Sequence, residues 1–158
     1  AALCLAGPAR AGDNERIYSY DAVSDTAQTL ARGGLTFVLR KSMIGGSRVT
    51  KVLSTSDHGT AELKPASDKA LGPGGLAGVI GHKVREDDLY EIQRGGQGEP
   101  LIRAACPLSD RAWLAFGALK PNRNVVIHAL GHSPISGKVR LCATMEFSWH
   151  GEWKLPPN

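Results

Sequence analysis

The sequence predicts a mainly β domain, an antiparallel sandwich or partly closed barrel of about seven or eight strands with one short N-terminal helix. Two observations predict this fold class. Short stretches rich in β-branched and aromatic residues recur along the 158-residue chain, and turns containing glycine or proline separate them. In addition, only one segment carries both the start and the stop signals of a helix.

That helix is predicted at residues 25–32. Asp25 is a residue type that caps helices, Gln28 follows three positions later, and Gly33 and Gly34 end the segment. The apolar face of this helix is small. We therefore expect it to lie against a sheet rather than to form a core of its own.

After Gly34 the hydrophobic period becomes two, which is typical of strands. Turn signals divide the middle of the chain, and a glycine-rich stretch at 66–81 predicts a long surface loop that contains one short strand. The predicted strands of this part are 35–41, 48–54, 60–64, 76–80, 88–94 and 101–106. We expect the first two to form one hairpin and the last two to form another, with a helical turn as the alternative for residues 88–94.

The last third of the chain has the strongest pattern. Residues 112–118 and 124–130 are apolar on both faces and predict central strands that are covered from two sides. Between 138 and 149 apolar and polar residues alternate, which predicts one long strand with a single buried face. Cys142 falls on the polar face, so we expect any disulfide from it to tie that outer face to a neighbouring strand or a covering loop.

Residues 1–11 have the pattern of the C-terminal part of a signal peptide. An apolar stretch runs to the helix-breaking pair Gly7 and Pro8, and Ala9, Arg10 and Ala11 resemble a small-x-small cleavage site. We therefore expect residues 12–158 to form a single β-rich domain that is periplasmic or secreted.

The chain has three cysteines, an odd number that leaves one thiol unpaired. Cys4 would leave with the signal peptide. In an oxidising compartment we expect the other two, Cys106 and Cys142, to form a disulfide across 36 residues. Without export, they are expected to be two buried thiols that act as small hydrophobic groups.

Composition and motifs argue against several classes of function. No stretch of about 18 apolar residues predicts a membrane span. The basic residues behind the net charge of +4 are scattered, which disfavours nucleic acid binding. The glycine-rich residues 72–77 resemble a dinucleotide-binding loop, but no strand is predicted immediately before them, so we expect no cofactor.

Histidines and carboxylates are the candidates for catalysis. His128 and His132 lie four positions apart on a predicted strand, which separates them by about 13 Å, too far to share a metal. A composite metal site could instead draw on His58, His82 or His150, but no metal site is predicted. No nucleophile-elbow motif is present, and Asp57 beside His58 is typical of a tight turn. The suspects for a catalytic site assembled only in three dimensions are Asp57, His58, His82, His128 and His132.

Two tryptophans near the C-terminus, Trp149 and Trp153, are the candidates for a ligand or partner surface. Exposed indoles stack on sugars or anchor partners, whereas buried ones close a core. Trp149 continues an apolar face, which favours burial.

Together these patterns favour an exported, non-catalytic binding or accessory module. Its partner would be an envelope protein or a glycan. The alternative is a small periplasmic hydrolase, with or without a metal, whose histidine and carboxylate groups converge only in the folded chain.

Overall fold

A computed structural model describes residues 15–41, 46–54, 59–81 and 88–153. Eight antiparallel strands form a closed barrel in which each strand pairs with its neighbours in the sequence and β1 pairs with β8. The strands are β1 (Glu15–Ala22), β2 (Leu35–Lys41), β3 (Ser47–Ser54), β4 (Gly59–Pro65), β5 (Asp88–Ile92), β6 (Arg111–Phe116), β7 (Val125–His132) and β8 (Val139–Trp153). The helices are α1 (Asp25–Leu30), α2 (Gly75–Ile80) and α3 (Gly98–Ala105), and a 3-10 helix covers Asp68–Leu71. The predicted mainly β class, a sandwich or partly closed barrel of about seven or eight strands, is confirmed, and the barrel is closed and carries more helices than the one predicted.

Two helices cover the same end of the barrel. In an up-and-down sheet all odd-to-even connections lie at one end, and α1 and α3 are the β1–β2 and β5–β6 connections. Apolar residues of both helices join the main core, among them Leu30 of α1 and Leu101 of α3. We call this end the helical end. No helix within the described ranges is long and apolar enough to cross a membrane.

The interior of the barrel is filled by aromatic side chains. Tyr20 packs edge-on against Trp149 and Phe37 at centroid distances of 5.5 and 5.9 Å. Phe116 then lies 5.3 Å from Phe37 and stacks on Tyr90 at 5.1 Å. An eight-stranded barrel is just wide enough for its own side chains to fill, and here they do.

A second, smaller core lies outside the barrel. Leu71 and Leu76, from the 3-10 helix and α2, pack there with Trp113 of β6 and Leu130 of β7. This cover explains why the sequence of β6 and β7 is apolar on both faces, as predicted for central strands. The Arg111 guanidinium stacks over the Trp113 ring, with its Cζ atom 4.9 Å from the ring centroid.

Two segments predicted as strands are helices. Residues 76–80 belong to α2, which begins at Gly75 after its N-cap Gly74. Both glycines have positive φ, and the Leu76 N–H donates to the Asp68 carboxylate. Residues 101–105 belong to α3, where the buried positions follow the helical period and an ion pair joins Arg103 to Glu99 at 3.2 Å. Short apolar runs fit either structure, and here tertiary packing selected the helix.

Other boundaries also differ from the prediction. Strand β1 was not predicted, although Tyr18 and Tyr20 face the core on either side of outward-facing Ser19. Helix α1 is capped by Ser24, whose Oγ accepts from the Ala27 N–H at 3.2 Å, and not by Asp25.

The prediction that Cys142 lies on the outer, polar face of its strand is wrong, because a β-bulge changes the alternation at this residue. The inward alternation holds from Ala143 to Phe147, but the β7–β8 register shifts between Ala129 and Leu130. Cys142 is the extra residue at this shift and packs against the main core, while Leu141 pairs with Leu130 on the outside.

The cysteine pair follows from that placement. Cys106, which ends α3, and Cys142 lie at disulfide-bonding distance, with Cα atoms 5.3 Å apart. Because Cys106 is fully buried in the main core, the bridge fastens the covering α3 to β8 on the core side and not on the outer face.

Candidate binding cleft

A cleft opens on the outer surface of the barrel where β1, β2 and β8 meet. Its volume is about 370 Å³. Six residues that line it matter for the chemistry: Ile17, Ser19, Asp21, Thr36, His150 and Trp153.

Strand register brings these residues together. Ser19 of β1 pairs with Thr36 on one side and with Gly151 on the other. The β1–β8 register shifts next to Ser19, so His150 is the extra residue that the bulge inserts. Gly151 has no side chain, and a Cβ built there meets nothing within 4 Å, so open space remains beside Ser19.

Hydroxyl groups form the floor of the cleft. The Oγ atom of Ser19 and the Oγ1 atom of Thr36 are 2.9 Å apart, and both residues are nearly buried. The indole Nε1–H of Trp153 donates to the Ser19 Oγ at 2.7 Å. Trp153 nevertheless remains 59% exposed, so its ring is tethered by the N–H edge while the rest stays open to solvent.

An imidazole and a carboxylate lie at the rim. His150 Nδ1 is 3.0 Å from Asp21 Oδ2, and both side chains are more than half exposed. Arg16 and Glu152 form an ion pair at 3.1 Å, but Glu152 pairs with core-facing Tyr18 in the strand register and does not line the cleft. The rim therefore offers one carboxylate and one imidazole as hydrogen-bonding groups.

The two candidate tryptophans have different environments. Trp149 packs edge-on against Tyr18 at 5.0 Å and against Tyr20, on the core side of β8. Trp153 lies in the cleft. Of the two, Trp153 is the one placed to meet a ligand.

The candidate catalytic histidines on β7 do not share a site. His128 Nδ1 is 3.1 Å from Thr144 Oγ1, and His132 Nδ1 is 2.6 Å from Asp110 Oδ1. Asp57, His58 and His82 lie outside the described residues. Within the described residues no group of three or more His, Cys, Asp or Glu side chains could hold a metal ion.

The Asp110–His132 pair has the geometry of a base and its orienting acid. The hydrogen bond from His132 is the main reason why the pKa of Asp110 lies below its usual range. However, the neighbouring hydroxyls serve the fold: Ser109 donates to Cys106 Sγ at 3.1 Å, and Ser133 Oγ accepts two backbone N–H groups of its own turn. The Asp110 N–H also donates to the His132 carbonyl at 3.1 Å, so the pair joins the ends of two strands.

Four of the six cleft residues carry no signal that singles them out in the sequence: Ile17, Ser19, Asp21 and Thr36. Thr36 lay in a predicted strand without a reason to single it out, while Ser19 and Asp21 belong to the unpredicted β1. The alternation of two tyrosines with Ser19 and Asp21 was the signal that could have revealed that strand.

Comparison of the chain with protein-family models, curated proteins and solved structures gave no match.

Proposed function

We propose that the protein is an exported, non-catalytic binding or accessory module and that the cleft of β1, β2 and β8 is its ligand site. The observation that carries this proposal is the convergence of a tethered but exposed indole, a hydroxyl floor and a carboxylate–imidazole rim in one cavity. Binding sites for small ligands are typically concave, with volumes of about 300–1,000 Å³ and a few polar groups that fix orientation. The cleft fits this description at the small end.

The architecture supports ligand contact on the outer surface. The barrel interior is occupied by the chain's own aromatic side chains, so a ligand carried inside the barrel would have to displace the core. Each of the eight described strands is paired on both sides, so a peptide finds no edge among them to extend. Recognition then depends on side chains, and the cleft presents them.

Export is supported by the cysteines. Cys106 and Cys142 are at bonding distance, and disulfides persist mainly in oxidising compartments such as the periplasm or the extracellular space.

A fragment screen by nuclear magnetic resonance tests the binding proposal. Uniformly ¹⁵N-labelled protein is mixed with a library of small polar and aromatic fragments, and amide shifts are mapped. We expect shifts to cluster at Ser19, Thr36 and Gly151, and to disappear in Trp153→Ala. The matched control is Leu141→Ala, an exposed apolar truncation at the opposite end of β8, which should bind as the wild type does. Shifts that cluster elsewhere, or no shifts, would overturn the proposal.

A hydrolase remains the second candidate because of the Asp110–His132 pair, since an imidazole held by a carboxylate is half of a nucleophilic triad. It ranks second because Ser109 and Ser133 are engaged in structural hydrogen bonds. Turnover of p-nitrophenyl acetate that falls in both His132→Gln and Asp110→Asn would support it. Equal background rates in all three proteins would reject this pair as a catalytic site.

A further inference from the structure

We propose that the cleft recognises a neutral saccharide, with Trp153 stacking on a sugar ring while Asp21 and His150 bond its hydroxyl groups. This inference rests on the proposed function, because it names the ligand class of the same cleft.

The state of the Trp153 indole is the first argument. Its N–H is already donated to Ser19, so what it offers to a ligand is the apolar π surface of the ring and not a hydrogen bond. Because that bond holds the ring edge, less side-chain entropy is lost when a ligand binds. A sugar ring carries a face of C–H groups, which is suited to packing on such a surface.

The rim supplies the second argument. Asp21 and His150 are partners through one carboxylate oxygen and one ring nitrogen, and both side chains extend into solvent. A carboxylate has a second oxygen that accepts, and imidazole has a second nitrogen that donates or accepts according to its tautomer. A hydroxyl group is both a donor and an acceptor, so sugar hydroxyls can bond to both rim residues.

Charge balance narrows the ligand further. Among the described residues that line the cleft, Asp21 and His150 are the only members of the Asp, Glu, His, Lys and Arg types, and their side chains bond to each other. A phosphorylated or sulfated ligand would need a guanidinium or ammonium group, which none of the described lining residues carries, and a cationic ligand would meet one carboxylate that already bonds to His150. The cleft therefore favours a neutral ligand.

A purely apolar ligand fits less well. The floor is made of the Ser19 and Thr36 hydroxyls, and the rim is polar, so a lipid chain would desolvate these groups without giving them new partners. Among neutral ligands, those with an apolar face and hydroxyl edges match both surfaces of the cleft.

Titration of the purified protein with neutral oligosaccharides tests the inference. The probes are cellotetraose, maltotetraose, laminaritetraose and tetra-N-acetylchitotetraose, and binding is followed by tryptophan fluorescence and calorimetry, with the small polar and aromatic fragments as non-sugar probes. We expect at least one sugar to bind with a change in fluorescence. Trp153→Ala should weaken that sugar at least about tenfold, as truncation of a central aromatic anchor does.

Three further variants separate ligand contact from damage to the fold. Trp153→Phe keeps an aromatic face and should retain more affinity than Trp153→Ala. Asp21→Asn should weaken the same sugar at least about fivefold, because one carboxylate acceptor is lost. Leu141→Ala should leave binding unchanged, and circular dichroism should be the same for all variants.

The possible results separate the proposed binding function of the cleft from the inference that its ligand is a saccharide. If none of the four sugars binds but the fragments still occupy the cleft, the saccharide inference is overturned and the binding function stands. If nothing occupies the cleft, both are overturned. Sugar binding that is indifferent to Trp153→Ala and Asp21→Asn also overturns the inference, because the sugar would then lie elsewhere.

Discussion

The hydroxyl of Tyr90 accepts a hydrogen bond from the backbone N–H of Val49, at 3.3 Å, inside the barrel. Val49 lies next to the register shift between β2 and β3, where the tyrosine reaches the backbone of a strand that β5 does not pair with. A second buried tyrosine, Tyr20, has a hydroxyl without a partner among the described residues. Burial is the main reason why the pKa of both phenols lies above the usual value.

These two tyrosines predict mutational effects of opposite direction. Tyr90→Phe leaves a buried N–H without the acceptor it has now, so we expect the free energy of unfolding to fall by about 1–2 kcal/mol. Tyr20→Phe removes a buried hydroxyl that has no hydrogen bond to lose, so stability should stay the same or rise by up to about 1 kcal/mol. Urea unfolding of the two variants measures the difference. Equal losses of stability in both would contradict the assignment.

The bridge between Cys106 and Cys142 closes a sequence separation of 36 residues. Restricting the unfolded chain over such a loop is worth about 3–4 kcal/mol in the chain-entropy model. The double variant Cys106→Ala with Cys142→Ala should lose stability of this order in urea unfolding. Dithiothreitol should destabilise the wild type to a similar extent and leave the double variant unchanged. If the reductant does not change the free energy of unfolding of the wild type, the bridge is not present.

Gly131 is the residue that lets Cys106 approach β7. A Cβ at this position would overlap the sulfur of Cys106 and the hydroxyl of Ser109. We therefore expect Gly131→Ala to destabilise the chain by about 1–3 kcal/mol, as overpacking in a close-packed core does, and to leave free thiols after oxidation. Gly95→Ala is the control, because a Cβ there meets nothing within 4 Å. Thiol titration and urea unfolding compare the two, and equal behaviour would show that the contact is not limiting.

Local patterns were sufficient for the fold class but not for every element. Alternation identified most strands, because a half-buried strand has to alternate. The apolar run beginning at Leu101 was assigned to a strand since composition alone does not show that its neighbours lie on one helical face. The barrel closes only because β1 pairs with β8. These strands lie at opposite ends of the described sequence, so local sequence patterns do not predict that they pair.

The site was harder to predict for the same reason. Trp153 was singled out from the sequence as a candidate, but its tether Ser19 lies 134 positions away, and Asp21 is 129 positions from His150. Such partners are brought together by strand register and by a one-residue bulge, neither of which is encoded in a motif.

The Asp110–His132 pair predicts a specific pH dependence. The folded state lowers the pKa of Asp110, chiefly through the hydrogen bond from His132, so the folded chain binds this proton less readily than the unfolded chain. The stabilisation is therefore complete above the ordinary carboxyl pKa of about 3.9 and disappears as the pH falls through the lowered value. Asp110→Asn should be less stable than the wild type at about pH 6, and the gap should narrow in acid. Urea unfolding of the two proteins across this pH range measures the gap, and a gap that stays constant into acid would contradict the prediction.

We expect replacement of Leu108 by glycine to raise the free energy of unfolding. Leu108 lies at φ 65°, in the left-handed region, and is 84% exposed, so its side chain contributes little packing while its Cβ opposes the backbone conformation. The conformation is imposed from both sides, because Arg140 donates to the Pro107 carbonyl and the Asp110 N–H donates to His132. Leu108→Gly relieves a cost of about 1–2 kcal/mol and adds flexibility to the unfolded chain, so we expect a net gain of about 0.5–1 kcal/mol. Leu108→Ala keeps the Cβ and should stay within about 0.5 kcal/mol of the wild type. Thermal and urea unfolding compare the three proteins, and a glycine variant less stable than the alanine variant would show that the leucine is not strained.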